Sequence, residues 1–294
     1  MVLLDGKLIA DQIKSEIARE VKNDFLDKGI NAPHLAAVLV GEDPASQTYV
    51  ASKEKSCREV GFISSVYKYP ENISEKQLLE VVEFLNTDPE VDGFIVQLPL
   101  PKHINEQKVI EAIRPSKDVD GFHPVNLGRM VLGLPAYLPA TPFGIMTLLD
   151  RYDIDTEGKH CVVLGRSHIV GTPASILLSR KGKPGNCTVT LCHSFTPDIA
   201  SITRQADILV VAIGKLGFVT ADMVKKDAVV IDVGMHRVPA DDTKSGFRLK
   251  GDVKFDEVSK KCSYITPVPG GVGLMTIVSL LQNTLKAAKK EIPY

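Results

Sequence analysis

The stretch CVVLGRSHIVG, residues 161–171, decides the fold. An apolar run of strand length enters a tight turn, and the helix-forming segment GTPASILLSRKG follows. A strand–turn–helix of this kind sets a pyrophosphate on helix N-terminal amides. The usual pattern is G-x-G-x-x-G; here Gly165 and Gly171 stand at its ends while Ser167 takes the middle position. Ser167 still offers a backbone N–H and a hydroxyl, although a tight turn with no ligand would read the same way. Downstream come the strand segment CTVTLC, the helical DIASITRQA, the strand segments DILVVAIG and AVVIDVG, and a last strand SYITPV, so the turn opens a parallel sheet. NAD-binding folds place an Asp or Glu near the end of the second strand for the ribose hydroxyls. No acid occurs from Arg166 to Pro197. Arg166 in the turn and Ser194 in Cys192–Ser194 instead suit a 2′-phosphate, so the expected cofactor is NADP. A merely solvated Arg166 would weaken this argument but would not supply the missing acid.

Upstream, LGLPAYLPATPFG (132–144) packs three prolines and two glycines together and is the candidate domain junction. Before it, HLAAVLVGE and GFIVQLPLP are strand segments, alternating with helical patterns over 44–60, in SEKQLLEVVEFLN and in NEQKVIEAI. The expectation is a two-domain α/β protein. Residues 1–141 and 273–294 form an N-terminal α/β catalytic domain, and 142–272 form a Rossmann-like domain. The last helix returns to the first domain.

A formal net charge of −1 excludes broad attraction to nucleic acid or anionic membranes. No apolar run approaches the roughly 20 residues of a bilayer span. The five cysteines are odd in number and lack any CxxC, which reads as reduced thiols in a cytosolic protein. His193 beside Cys192 has no second ligand cluster, so no metal is expected.

YVASKEK places Tyr49 and Lys53 four apart, a spacing shared with short-chain dehydrogenases. There the pair follows the glycine turn within one domain; here it precedes the turn by more than a hundred residues, so that reading is rejected. With Asp43 as N-cap and Pro44 at the first position, the helix sets Tyr49, Val50, Lys53, Cys57 and Val60 on one face. Lys53 is the only charge on it. Such a lysine either snorkels to the rim or occupies a cleft with a depressed pKa. Gln97 ends a buried strand just before two prolines. Asp118 and Asp120 fall in a turn-like segment, more often a turn device than a site. Pro269, Gly270, Gly271 and Gly273 permit close approach of a ligand to the backbone, or a hinge before the last helix.

Taken together, YVASKEK, IVQLPLP, KDVDGF, GRSHIVG, CHS and ITPVPGGVG closely resemble the bifunctional methylenetetrahydrofolate dehydrogenase/methenyltetrahydrofolate cyclohydrolase family, in order and over nearly the whole chain. The resemblance implies oxidation of 5,10-methylenetetrahydrofolate with NADP+ and hydrolysis of the methenyl product to 10-formyltetrahydrofolate, in one cleft between two domains. It implies Lys53 as the catalytic lysine, Gln97 as its hydrogen-bond partner, Tyr49 stacked along the folate and Asp120 on the pterin. Backbone of Val96, Gln97 and Leu98, and of Pro269, Gly270, Gly271, Val272 and Gly273, would line the folate. Gly165, Arg166, Ser167, Ser194 and Met235 would hold NADP. A homodimer through the cofactor domains is also implied. Three positions depart from the family pattern: Leu274 replaces a common proline, Met235 a frequent isoleucine, and Ala140 a cysteine found in some members. The competing readings are a monofunctional NAD-dependent dehydrogenase of this fold, a non-catalytic folate- or nucleotide-binding protein, and an amino- or hydroxy-acid dehydrogenase. The last would want a catalytic histidine or acid pair near the turn, whereas His168 lies in the turn itself.

Overall fold

The computed structural model describes residues 1–243 and 246–294. The chain divides into two compact units, one of residues 1–10 and 141–276, the other of 11–140 and 277–294.

The second of these is built on three parallel strands, β2 (His34–Val40), β3 (Ile63–Tyr69) and β4 (Gly93–Val96), in the order β3-β2-β4. Helices α2 (Pro44–Glu59) and α3 (Glu75–Thr87) make the crossovers. Ser74 and Gln77 form a reciprocal cap at the start of α3, and Leu78, Val82 and Leu85 bury its apolar stripe. They pack with Ala36, Val38, Phe94 and Val96 of the sheet, and with Val109 of α4 (Glu106–Ala112). Because the chain leaves β2 to one side and β4 lies on the other, the carboxyl ends of β2 and β4 frame the crevice where parallel sheets take ligands. A short helix, α5 (Pro124–Val131), was not evident in the sequence, since it contains Gly128 and spans only two turns.

In the other unit, α6 (Ala140–Arg151) begins in the proline-rich junction and leads to β5 (His160–Leu164). Then come α7 (Gly171–Ser179), β6 (Thr188–Cys192), α8 (Ile199–Thr203), β7 (Ile208–Val211), β8 (Val229–Asp232), α9 (Phe255–Val258) and β11 (Tyr264–Ile265). Between β8 and α9, β9 (His236–Pro239) and β10 (Phe247–Lys250) pair antiparallel, a hairpin absent from the sequence reading. With β1 (Val2–Leu3) at its edge, the six-stranded sheet runs β1-β11-β8-β7-β5-β6, all parallel, which is a doubly wound order with its reversal at β5. Val162, Leu164, Leu209, Val211 and Val230 form its core.

The edge strand β1 completes this sheet. Val2 pairs with Tyr264 and Leu3 with Ile265, and residues 1–10 cluster with this unit. The N-terminal sequence reads as a short strand leading into an amphipathic helix, and the pairing with β11 decides which sheet that strand joins. After β1, α1 (Gly6–Asp24) buries Ile9, Ile13, Ile17 and Val21, and α10 (Val272–Ala288) is the last helix. All five cysteines are free and buried.

Candidate active site

Helix α2 carries the first part of the site. Asp43 accepts a hydrogen bond from Ser46 N at 2.7 Å, and Pro44 fills the first helical position. Val50, Lys53 and Cys57 are buried while Arg58 and Glu54 pair on the solvent side at 2.6 Å, as the helical spacing requires. Asp43→Ala is expected to cost about 1 kcal/mol, read as a lower urea midpoint with an unchanged m-value.

Of the two places the sequence allows Lys53, the interior is the one observed: the residue is only 5% exposed. Its Nζ donates to Gln97 Oε1 at 3.1 Å and lies 4.6 Å from the centroid of the Tyr49 ring. Strand β4 aims the glutamine. Val96 is in register with Val38, Gln97 N donates to Val38 O at 2.9 Å, and Gln97 Nε2 donates to Leu98 O at 2.7 Å. With the amide nitrogen committed to Leu98, its oxygen is left for the lysine.

Burial holds the Lys53 ammonium below the ordinary lysine range, with the charges of Asp120 and Cys57 acting in the opposite sense. Asp120, half-buried, is raised by burial, and Lys53 pulls it back down. The two groups are therefore close enough to bias each other's protonation. Asp118 has a different task. It accepts from Phe122 N, His123 N and Asn126 Nδ2 at 3.2, 2.8 and 2.8 Å, and so is the turn device the spacing allowed. Burial pushes it up to about 7 against those bonds.

The turn after β5 in the other unit is closed by its glycines. Gly165 has φ +108°, and a Cβ there would lie 2.1 Å from Ala212 O at the end of β7. A Cβ on Gly171 would lie 1.9 Å from Gly165 O. The start of α7 thus lies against the end of β5, the close approach a phosphate cradle needs. Ser167 Oγ accepts from Val170 N at 3.2 Å. Arg166 and Ser194 are exposed, and the Arg166 guanidinium lies 5.9 Å from the Phe195 ring. The turn after β5 and the end of β6 are thereby brought together, as a 2′-phosphate site requires. Met235 follows β8 and is 55% exposed. These residues fit a dinucleotide phosphate by shape and charge.

Two residues of this region were missed in the sequence. Asp252 is fully buried; its Oδ2 accepts from Ile213 N and Gly214 N at 2.9 Å each, and its Oδ1 pairs with His236 Nε2 at 2.7 Å. Asp232 accepts from Gly234 N, Asp252 N and Val253 N, and burial raises it to about 6. Together they shape the loops after β7 and β8. The acid inside the apolar run VVIDVG was the available signal.

Residues Pro269 to Gly273 belong to the same unit as the turn after β5. Gly270 has φ +102°, and its carbonyl accepts from Lys7 N at 3.2 Å. A Cβ on Gly6 would lie 2.2 Å from Gly271 O, so this loop packs against the start of α1. Tyr49, Lys53, Val96, Gln97, Leu98 and Asp120 belong to the other unit.

Residues 4–120 match the catalytic-domain model of the tetrahydrofolate dehydrogenase/cyclohydrolase family, and residues 139–292 match its NAD(P)-binding-domain model. The chain is 63% identical over 287 residues to a Porphyromonas gingivalis protein described as bifunctional protein FolD, covering 98% of this chain and 97% of that one. It is 64% identical over 288 residues to the Cytophaga hutchinsonii protein of the same description, covering 98% and 99%. Among solved structures, the bifunctional FolD enzyme of Campylobacter jejuni aligns with a TM-score of 0.92 at 49% identity, covering 99% of this chain and all of that one. The Trypanosoma brucei dehydrogenase-cyclohydrolase, solved with NADP and an inhibitor, aligns with a TM-score of 0.94 at 38% identity, covering 99% and 98%.

Proposed function

This chain belongs to the tetrahydrofolate dehydrogenase/cyclohydrolase family, and from that premise we propose that Lys53, Gln97, Tyr49 and Asp120 carry its folate chemistry, with Gly165, Arg166, Ser167, Ser194 and Met235 holding the cofactor. The protein is a bifunctional enzyme. It oxidises 5,10-methylenetetrahydrofolate with NADP+ and hydrolyses the methenyl product to 10-formyltetrahydrofolate. The monofunctional alternative is set aside, because relatives at 63% and 64% identity are described as bifunctional.

The observation that carries the residue assignment is the buried Lys53 amine, bonded to Gln97 and flanked by Tyr49 and Asp120. NADP+, when bound, accepts the hydride of the one-carbon bridge. For that step the chain's residues hold the folate in place, Tyr49 by its ring and Asp120 by its carboxylate. The methenyl product is a cation spread over two nitrogens. Water attacks its bridging carbon, a C–O bond forms, and the water's proton passes to the neutral Lys53 amine. The bond from that carbon to N5 then breaks as the new hydroxyl gives up its proton and becomes the formyl carbonyl; the electron pair stays on N5, which takes up that proton, and the formyl group remains on N10. A permanent ammonium would repel the cation, so burial of Lys53 serves the hydrolysis directly. The backbone of Val96 and Leu98 and the loop Pro269, Gly270, Gly271, Val272 and Gly273 line the folate in this reading.

No helix among the described residues is long and apolar enough to cross a membrane. Family resemblance supports a homodimer through the cofactor-binding domains. The cysteine usage supports a cytosolic enzyme. Its 10-formyl product then serves as a one-carbon donor for purine synthesis.

The test is incubation with methylenetetrahydrofolate and either NADP+ or NAD+, following reduced cofactor and the rise and decay of the methenyl chromophore. NADP+ is the expected oxidant, and enzyme-dependent decay of the chromophore is the expected sign of hydrolysis. Arg166→Ala should raise the KM for NADP+ about 10- to 100-fold, the worth of one charged hydrogen bond, and leave the KM for NAD+ nearly unchanged. Decay no faster than in protein-free buffer would remove the second activity. Equal effects of Arg166→Ala on both cofactors would remove the 2′-phosphate contact.

A further inference from the structure

We propose that Asp118, Asn126 and Tyr294 form a hydrogen-bonded relay that positions Asp120 opposite Lys53. The inference rests on the proposed role of Asp120 and extends it to three residues that touch neither substrate nor cofactor.

The relay is continuous. Tyr294 Oη donates to Asn126 Oδ1, and Asn126 Nδ2 donates to Asp118 Oδ2 at 2.8 Å and to Pro115 O at 3.0 Å. Asp118 in turn accepts the backbone N–H groups of Phe122 and His123, which follow Asp120 in the same turn. With its oxygen taken by the tyrosine and its nitrogen facing two acceptors, Asn126 has one amide orientation that satisfies every partner. Asn126 is fully buried and Asp118 is 1% exposed, so water does not substitute for these bonds. Tyr294 is anchored by its ring, 5.7 Å from that of Tyr137, with the Arg129 guanidinium 5.2 Å away.

The turn is also fixed from other sides. Asn283 Nδ2 of α10 donates to Val119 O at 2.8 Å and to Leu138 O at 2.9 Å, immediately before Asp120. A Cβ on Gly121 would lie 2.5 Å from Leu138 C, so the residue after Asp120 is pressed against the same segment. Asp120 is thus held through both of its neighbours, while its own carboxylate acts on Lys53 through its charge.

A positioning role has a signature that lost stability alone lacks. The titratable groups acting on Lys53 are Asp120 from this turn and, from α2 itself, Cys57 and the Tyr49 ring. Asp120 raises the lysine's pKa, so its displacement should move the rising limb of the hydrolysis pH profile to lower pH. Tyr294→Phe and Asn126→Leu are compared with Asp120→Asn by KM for folate, KM for NADP+ and pH profile. Tyr294→Phe is expected to raise the folate KM about two- to tenfold, the worth of a neutral hydrogen bond, with the KM for NADP+ unchanged and the limb shifted toward lower pH. Asn126→Leu should do the same more strongly; if it does not fold, Tyr294→Phe decides alone. Wild-type folate KM and pH limb in the relay variants, with both altered in Asp120→Asn, would overturn the relay and leave the function intact. An Asp120→Asn enzyme altered in neither would overturn the role of Asp120 and the relay with it.

Discussion

Lys53→Met is expected to reduce hydrolysis of methenyltetrahydrofolate by about 10²- to 10⁴-fold, the usual contribution of a positioned general base, while oxidation falls far less. Methionine retains the length and most of the volume of the lysine stem and brings no charge into a buried position. The variant should therefore fold, with Gln97 losing one donor. The two reactions differ in their need for the amine. Hydride leaves the one-carbon bridge without a proton being moved, whereas attack by water requires a group to remove one. The wild-type pH dependence follows from the same amine. Neutral Lys53 is the active form, so hydrolysis should rise with pH and level off above the lysine's folded-state pKa, which burial places below the ordinary 10.5. Between those two values the unfolded chain binds the extra proton, so this residue's contribution to stability also increases with pH there. Chromophore decay under single-turnover conditions measures the first effect. Equal loss of both activities, with folate binding intact, would contradict the division.

Gly165→Ala should have the opposite selectivity. Its φ of +108° lies in a region that alanine seldom adopts, and the added Cβ would lie 2.1 Å from Ala212 O. Neither atom yields cheaply, because Gly165 N is bonded to Cys192 O and Ala212 N to Leu164 O. The carboxyl ends of β5 and β7 must separate, and a shift of about 1 Å at such a site is enough to cost roughly 10²-fold in rate. Backbone strain of about 1–3 kcal/mol should also lower Tm. Measured well below that Tm, NADP+-dependent oxidation is expected to fall about 10²-fold while hydrolysis of supplied methenyltetrahydrofolate persists. Unchanged oxidation would show that the turn does not hold the cofactor. The paired variants thus separate the two activities in opposite directions.

Much of this architecture is legible in the sequence because it is local. Asp43, Pro44 and the four-residue spacing of Tyr49, Lys53 and Cys57 define α2 and its inner face without reference to any other part of the chain. The apolar run from Cys161 to Leu164 likewise declares a buried strand. What is illegible depends on partners distant in sequence. Val2 and Leu3 read locally as a short strand before a helix, but the sheet they join is set by Tyr264 and Ile265. Whether Lys53 reaches the rim or stays inside depends on Gln97, whose Oε1 accepts a hydrogen bond from the lysine 44 residues away. Asp118 and Asp120 alternate in a turn, and spacing alone does not say which one braces the backbone and which one is available. Asn126 and Asn283 leave no trace beyond being polar residues in short or apolar helices, although Ser279 and Asn283, one turn apart on the buried side of α10, mark where an amide is tolerated inside.

The buried thiols have a kinetic consequence. Only a thiolate reacts readily with alkylating or oxidising agents. Burial raises Cys57 to about 12 and Cys187 to about 11, and lifts Cys161, Cys192 and Cys262 as well. Modification must then await local opening of the chain. Cys57 resides in one unit and the other four in its companion, so each half of the molecule contains its own chemical clock of unfolding.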